Sequence, residues 1–380
     1  MNIAPSDNGT GLRERFNSLF WQKKYSKEKK TDDDYNLVKR SITWIEFSKR
    51  NIVPLSMLVA VLSFITLYLC LIPKKSLPYI DPLKCPPTKE ATLITASRPI
   101  QYETSEADHL DRFTIVLATY KRPDLLKKAI KRYSTCKEID AIRVIWSESN
   151  TPPIRSVTPD YFSQNKDVRY DVKAKNSLNS RFEPLDGLRT EAVFSMDDDM
   201  DLPCDDLKHA FEVWKEDKWN LAGFYPRLHI HQPDCGYRYL TSYETFITYG
   251  QYSIVLTKAA MLHRDYFRHY TEVMPRQIRE MITSWMNCED IAMQIMVSNL
   301  TRSPPNFVHS HTAIDWGKGL LKVKGISSSN AHFSRRNMCL TEFSRFYGNS
   351  LPLFPTPFES LDDRFTPITE TLYGFFNGRI

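Results

Sequence analysis

Ala192-Val193-Phe194-Ser195-Met196-Asp197-Asp198-Asp199 decides the fold, because an apolar run of strand character ends there on three consecutive carboxylates. Asp205 and Asp206 then open a helical stretch, Leu207-Lys208-His209-Ala210-Phe211-Glu212-Val213-Trp214. Side chains alternate faces along a strand, so continued extension would put Asp197 and Asp199 on one side and turn Asp198 away. In open α/β sheets, ligands sit just beyond the carboxyl ends of strands. Two carboxylates there suit a hard divalent cation. Mg²⁺ and Mn²⁺ take one or two protein carboxylates and complete their shells with a substrate's phosphates. Alone, the run reads equally well as a solvated acidic turn, so its neighbours carry the argument.

Upstream, Phe113-Thr114-Ile115-Val116-Leu117-Ala118 is a β-rich run, and Thr119-Tyr120-Lys121-Arg122 turns the chain. Pro123 suits the first position of a helix. Leu125, Leu126, Ala129, Ile130 and Tyr133 give that helix one apolar face. Ile142–Trp146 and Val168–Val172 read as further strands. Strands alternating with helices predict a parallel α/β sheet with right-handed crossovers. Arg122 then shares a rim with the three aspartates. Asn176 and Arg181 lie in a polar loop between strands, within reach of a base, ribose or phosphate.

Downstream, 221–227 reads as a strand and turn, and 252–256 as another strand. Asn287 fits the N-cap of a helix carrying Glu289, Asp290, Ile291, Ile295 and Met296. Acids favour first helical turns. Facing a cleft, the same pair suits handling of an acceptor hydroxyl. His229, His231, His309 and His311 lack a third ligand at zinc spacing.

Composition narrows the rest. The chain has 380 residues, 42% of them hydrophobic, a net charge of +6 and twelve glycines. No basic stripe interleaved with aromatics points to nucleic acid. Neither a G-x-G-x-x-G nor a G-x-x-x-x-G-K-[ST] loop occurs, so a nucleotide would be held by side chains and metal. Residues 1–51 read as a polar cytosolic tail. Residues 52–72 carry no charge. At about 1.5 Å per residue they reach across a bilayer core, which predicts a signal-anchor. The Lys/Arg of the short arm favour a cytosolic N-terminus, hence a single-pass type II protein. The proline-rich stretch 73–110 reads as a stem, followed by a catalytic domain over 111–355 and a tail over 356–380.

Three motifs in order carry a resemblance: Asn176…Arg181-Phe182, Asp197-Asp198-Asp199, and Asn287-Cys288-Glu289-Asp290-Ile291-Ala292-Met293. Together they resemble the exostosin-like glycosyltransferases of family 64, from about residue 111 to about 355. Ser134-Thr135-Cys136, Ile145-Trp146-Ser147-Glu148 and Gly325-Ile326-Ser327-Ser328 look most similar to the plant single-domain members. The resemblance implies a GT-A fold, Rossmann-like, in the Golgi lumen, with Mn²⁺ (or Mg²⁺), a nucleotide-sugar donor and retention of anomeric configuration. It assigns Arg122, Asn176, Arg181, Asp197 and Asp198 to the donor and Asp199 to the metal. Asp290, with Glu289 beside it, takes the catalytic position, and Arg336 a place near the diphosphate. It also pairs Cys288 with Cys339. Ala118, Ser147 and Ser327 depart from the Gln, Asn and aromatic residue of some animal members, so donor identity does not transfer from them.

Seven cysteines are present. Six would be luminal, where disulfides persist. Cys85, Cys136, Cys204 and Cys235 stay unassigned, with buried free thiols the default for most. Asn299-Leu300-Thr301 is a sequon that a luminal location would permit. The leading expectation is a retaining transferase acting on a glycan or an inositol phosphorylceramide headgroup. GDP-mannose is the favoured donor and a UDP-N-acetylhexosamine the alternative. An inactive membrane-anchored partner of another transferase is the second expectation, and a two-metal phosphoesterase the third. A homo- or hetero-dimer is compatible with each.

Overall fold

The structure is a computed structural model that describes residues 109–310, 312–317 and 331–359, residues 73–78, Cys85, and residues 60, 63, 64 and 68. The chain divides into two units, 1–72 and 73–380. In the first, the four described residues are helical and exposed. The rest of the expected tail and span lies outside the described residues, as do Ser327 and the segment around it. Among the described residues no helix is long and apolar enough to cross a membrane.

The second unit is a mixed α/β fold around a seven-stranded sheet. Its strands are β1 (His109–Ala118), β2 (Ile139–Trp146), β3 (Asp167–Val172), β4 (Thr190–Asp197), β5 (Ala222–Gly223), β6 (Ala259–His263) and β7 (Asn306–Phe307). Their spatial order is β7-β5-β6-β4-β1-β2-β3. Strands β3, β2, β1 and β4 run parallel, and β6 runs antiparallel to both β4 and β5. The expected parallel sheet therefore holds, with one reversed strand. Chain order runs β1-β2-β3 toward one edge, then returns to lay β4 on the other side of β1. The gap between the carboxyl ends of β1 and β4 is thus the switch point where α/β sheets bind ligands.

Burial explains why these segments form. Val193, Phe194 and Met196 are each fully buried, as expected of a central strand covered on both faces. Phe194→Ala would cost about 3–5 kcal/mol. Helix α1 (Pro123–Tyr133) starts on Pro123 and buries Leu126, Ala129, Ile130 and Tyr133, while Lys131 and Arg132 occupy its last turn, where the helix dipole favours cations. Helix α2 (Cys204–Glu216) buries Leu207, Ala210, Phe211 and Trp214. Helices α3 (Arg276–Trp285), α4 (Glu289–Thr301) and α5 (Ala331–Phe346) follow.

A smaller sheet pairs 226–231 with 237–240 and 254–255. Its Leu228, Ile230 and Leu240 form a cluster of their own, joined by Leu77 and Tyr249. Leu77 belongs to the stretch read as a stem, so part of that stretch is docked on the domain. At the other end, Thr356–Pro357 pairs with Gln251–Tyr252, so ordered structure continues into the segment read as a tail.

Three disulfides are present: Cys85–Cys235, Cys136–Cys204 and Cys288–Cys339. The last is the pair the resemblance implied. The other two correct the expectation of free thiols. Burial alone does not separate the two states, since cysteine is buried either as a small apolar side chain or as a half-cystine; only the approach of distant segments does. One further expectation changes. Asn287 does not cap α4: the capping position belongs to Cys288, which holds a left-handed backbone at φ 77°. Asn287 instead donates its amide to the His332 carbonyl. The sequon residue Asn299 lies within α4 and is 4% exposed.

Candidate active site

Strand β4 ends on Asp197, and Asp198 and Asp199 form the turn that follows. Extension therefore stops two residues earlier than the alternation argument assumed, yet the acids still part company. Asp197 and Asp199 line a cavity of about 720 Å³. Asp198 is 3% exposed and is not among the lining residues. It accepts a hydrogen bond from Thr119 Oγ1 at 2.7 Å. Arg122, delivered by the turn after β1, reaches both remaining acids. Its Nη2 lies 2.5 Å from Asp198 Oδ1, and its Nη1 donates to Asp199 Oδ2 at 2.8 Å. These groups meet at the switch point.

The turn itself is braced from three directions. Tyr133, at the end of α1, donates to the Met200 carbonyl at 2.9 Å and accepts from the Leu202 amide. Cys136–Cys204 ties the same helix end to the start of α2. Ile314–Asp315 pairs with Met200–Asp201, and the Trp316 amide donates to the Asp199 carbonyl at 3.0 Å.

A second cluster forms at the start of α4. Asp290 Oδ2 accepts from Arg336 Nη2 at 2.7 Å, and its Oδ1 accepts from the Ile291 amide at 2.8 Å. Arg336, on α5, also donates to Tyr239 Oη at 3.0 Å. Cys288–Cys339 ties α5 to the residue before Glu289. Arg181 joins the two clusters: its Nη2 donates to Asp197 Oδ1 at 2.6 Å and lies 3.9 Å from Glu289 Oε1. The Nε atoms of Arg181 and Arg336 are buried without a partner. Buried unpaired donors of this kind are costly.

Environment separates the carboxyls. Burial pushes Glu289 up to about 7, helped by the neighbouring Asp290 charge. Asp290 is equally buried, yet Arg336 and the Ile291 amide hold it below its ordinary range. Burial also raises Asp198 to about 7 against the pull of Arg122 and Thr119. Asp199 is raised by burial and by the charges of Asp197 and Asp315. A cation arriving near Asp197, Asp199 and Asp315 would relieve that repulsion. Gly317 keeps the place open, since a Cβ there would lie 3.1 Å from Asp199 Oδ2 and 3.0 Å from Asp315 Oδ1. Among the described residues no three His, Cys, Asp or Glu side chains are gathered as a cage. This donor set fits an ion that draws the rest of its shell from phosphates.

Arg122, Asn176, Arg181, Asp197, Asp199, Glu289, Asp290 and Arg336 all face this one cavity, although they span more than two hundred residues. Ala118 and Ser147, two of the positions that depart from animal relatives, line it too. Sequence reasoning missed Tyr239, Arg227, Lys258 and Asp315, which also line it. Each is a lone residue on a short strand or turn, and no spacing rule marks it.

A glycosyl transferase family 64 domain model matches residues 113–363. Glycosylinositol phosphorylceramide mannosyl transferase 1 of Arabidopsis thaliana is 35% identical over 268 residues, covering 66% of this chain and 77% of the plant protein. The exostosin-like-3 homolog of Caenorhabditis elegans is 37% identical over 239 residues, covering 63% of this chain but 28% of the worm protein. A solved structure of a Pyrobaculum calidifontis mannosyltransferase, in complex with GDP-Man and Mn²⁺, superposes with a TM-score of 0.37 and 12% identity, covering 71% of each chain. That last likeness is too remote to argue from. With the family model matching more than half of its length, the chain belongs to glycosyl transferase family 64.

Proposed function

We propose that this chain is a retaining, metal-dependent hexosyltransferase of GT-A type, with GDP-mannose as the favoured donor and an inositol phosphorylceramide headgroup or glycan as acceptor. One observation carries the reading. The acids after β4 and the acids opening α4 face each other across one cavity and are bridged by Arg181. The plant relative, a glycosylinositol phosphorylceramide mannosyl transferase, supports mannose as the sugar and that headgroup as acceptor. A single-pass type II anchor over 52–72 and a Golgi location complete the proposal.

In this reading Asp199, with Asp197 nearby, would hold Mn²⁺ or Mg²⁺, which neutralises charge on the donor diphosphate when bound. Arg122 and Arg336 present guanidinium groups to the same phosphates. As the bond between the anomeric carbon and the phosphate oxygen breaks, its electron pair leaves on the diphosphate. Arg336 is suited to stabilise that charge. The acceptor oxygen forms the new bond to the anomeric carbon and gives up its proton. Asp290, held ionised, suits the positive charge developing on the sugar. Glu289 titrates near neutrality and suits the proton. Two carboxyls pushed apart in this way are a common basis for divided roles.

The test is turnover by the full chain in detergent, offered GDP- and UDP-sugars with Mn²⁺ and with inositol phosphorylceramide acceptors. GDP release from GDP-mannose that requires both acceptor and Asp199 supports the reading. UDP release from an N-acetylhexosamine donor keeps the mechanism and moves the substrate. No release from any donor by a folded protein leaves the inactive partner as the better account.

A further inference from the structure

Residues 73–78 are more than a spacer. Lys74 Nζ donates to the Ile247 carbonyl at 2.8 Å, and the Lys75 amide donates to the Thr248 carbonyl at 2.9 Å. The methylenes of Lys74 lie against Gly250, where a Cβ would sit 3.2 Å from Lys74 Cγ. Leu77 packs on Leu228, Ile230 and Leu240. Further along, Cys85 is bonded to Cys235 in the turn of the hairpin formed by 226–231 and 237–240. Cys235 holds a left-handed backbone at φ 63°, uncommon for a residue other than glycine.

The hairpin has two faces, because strand side chains alternate. One face carries Leu228, Ile230 and Leu240 against Leu77. The other carries Arg227 and Tyr239 toward the cavity. Tyr239 Oη accepts from Arg336 Nη1, and the Arg336 guanidinium lies over the Tyr239 ring, 4.9 Å from its centroid. The hairpin is also fastened to α5 from outside the cavity: Asn337 Oδ1 accepts from the Tyr239 amide at 2.8 Å, and Thr341 Oγ1 accepts from the Tyr237 amide at 2.9 Å. A continuous path therefore runs from residues 74–77 and Cys85, through the hairpin, to the arginine that holds Asp290.

We propose that residues 74–77 and the Cys85–Cys235 bond are a positioning brace for Arg336, acting through Tyr239. The apolar face of the hairpin is small, with three fully packed residues of its own. Without Leu77 and the bond at its turn, the hairpin loses packing on the side opposite the cavity, and Tyr239 loses its fixed place beneath Arg336. The kinetic consequence rests on the transferase reading; the positional one does not.

The experiment uses the full chain in detergent, comparing wild type with Leu77→Ala, Leu77→Ser and the double variant Cys85→Ser/Cys235→Ser, each also combined with Tyr239→Phe. Hydrogen exchange should quicken in 237–240 and 336–341 in the brace variants, while 192–197 stays as protected as in wild type. Turnover should fall on the order of tenfold in kcat with a smaller rise in donor KM, and brace variants should add no further loss once Tyr239 is Phe. Wild-type exchange at Tyr239 and Arg336 overturns the brace whether or not the protein turns over a donor. Losses that simply multiply with Tyr239→Phe overturn its action through Tyr239. A wild-type protein silent toward every donor would sink the transferase reading, and the exchange data would still decide the brace.

Discussion

The acids after β4 and the acids opening α4 face the same cavity, but they are held by opposite means. Asp197–Asp199 sit where two adjacent parallel strands end, and their arginine, Arg122, comes from the neighbouring strand's turn. The order of β1 and β4 brings these acids and Arg122 together, and Tyr133, Cys136–Cys204 and 314–316 only brace the turn. Glu289 and Asp290 instead depend on pieces from afar: Arg336 from α5, Tyr239 from a hairpin, and a disulfide to keep α5 in place. The first cluster is built into the sheet, whereas the second is assembled around it. Loss of one carboxylate should therefore have different costs on the two sides.

The largest effect is expected at Asp290. Asp290→Ala should reduce turnover on the order of a thousandfold and also destabilise the domain by about 3–5 kcal/mol, since it leaves Arg336 charged and buried without its carboxylate. Urea denaturation and kcat measured together check it. Unchanged stability would erase the contrast. Removing the bridge by Cys288→Ser/Cys339→Ser should cost about 4 kcal/mol by the loop-entropy relation, for a separation of 51 residues, and should weaken Asp290 function more than metal-dependent donor binding. Equal losses in both would make the clusters one unit.

At Asp199 the same kind of change should be cleaner. Asp199→Ala should cost turnover on the order of a hundredfold or more, with a stability change under about 1 kcal/mol, because Arg122 keeps Asp198. Activity in that variant that ignores a chelator would remove the metal from the proposal. The smallest effect concerns pH. Glu289 is raised to about 7, so a proton-accepting role makes turnover rise as pH climbs through 7, and Glu289→Gln should flatten that limb. Stability moves the other way. Between the ordinary 4.5 and about 7 the folded chain keeps a proton the unfolded chain has released, so this residue's contribution falls as pH rises. A rising limb that survives in Glu289→Gln would point to another group, with Asp198 the first to try.

Legibility in the sequence followed the same divide. The strand-end cluster was readable because an apolar run of strand character, a proline at a helix start and a run of acids are all local signals. Even there the alternation argument reached the right partition through a turn it did not foresee, and Asp198 was turned inward to Thr119 and Arg122. At the helix start, Glu289 and Asp290 read equally as ordinary first-turn acids or as a pair handling an acceptor hydroxyl, until the resemblance supplied Arg336. Tyr239 and Asp315 gave no signal, since a lone side chain acquires its role only when the chain folds back. Cys85, Cys136, Cys204 and Cys235 illustrate the limit most simply: pairing is a property of distance in space, and separations of 150 and 68 residues leave no trace in local pattern.

That pairing has a consequence for how the protein is made. In chain order the six described cysteines are 85, 136, 204, 235, 288 and 339. Cys136–Cys204 and Cys288–Cys339 join neighbours in that order, whereas Cys85 must skip two cysteines to reach Cys235. Domains begin folding from the N-terminus during synthesis, and Cys136 is made before Cys235, the true partner of Cys85. A Cys85–Cys136 link formed then has to be reshuffled, and uncatalysed reshuffling is slow. Maturation of this chain should therefore depend on a thiol–disulfide isomerase, and the bond at the hairpin turn should be the step that waits for it.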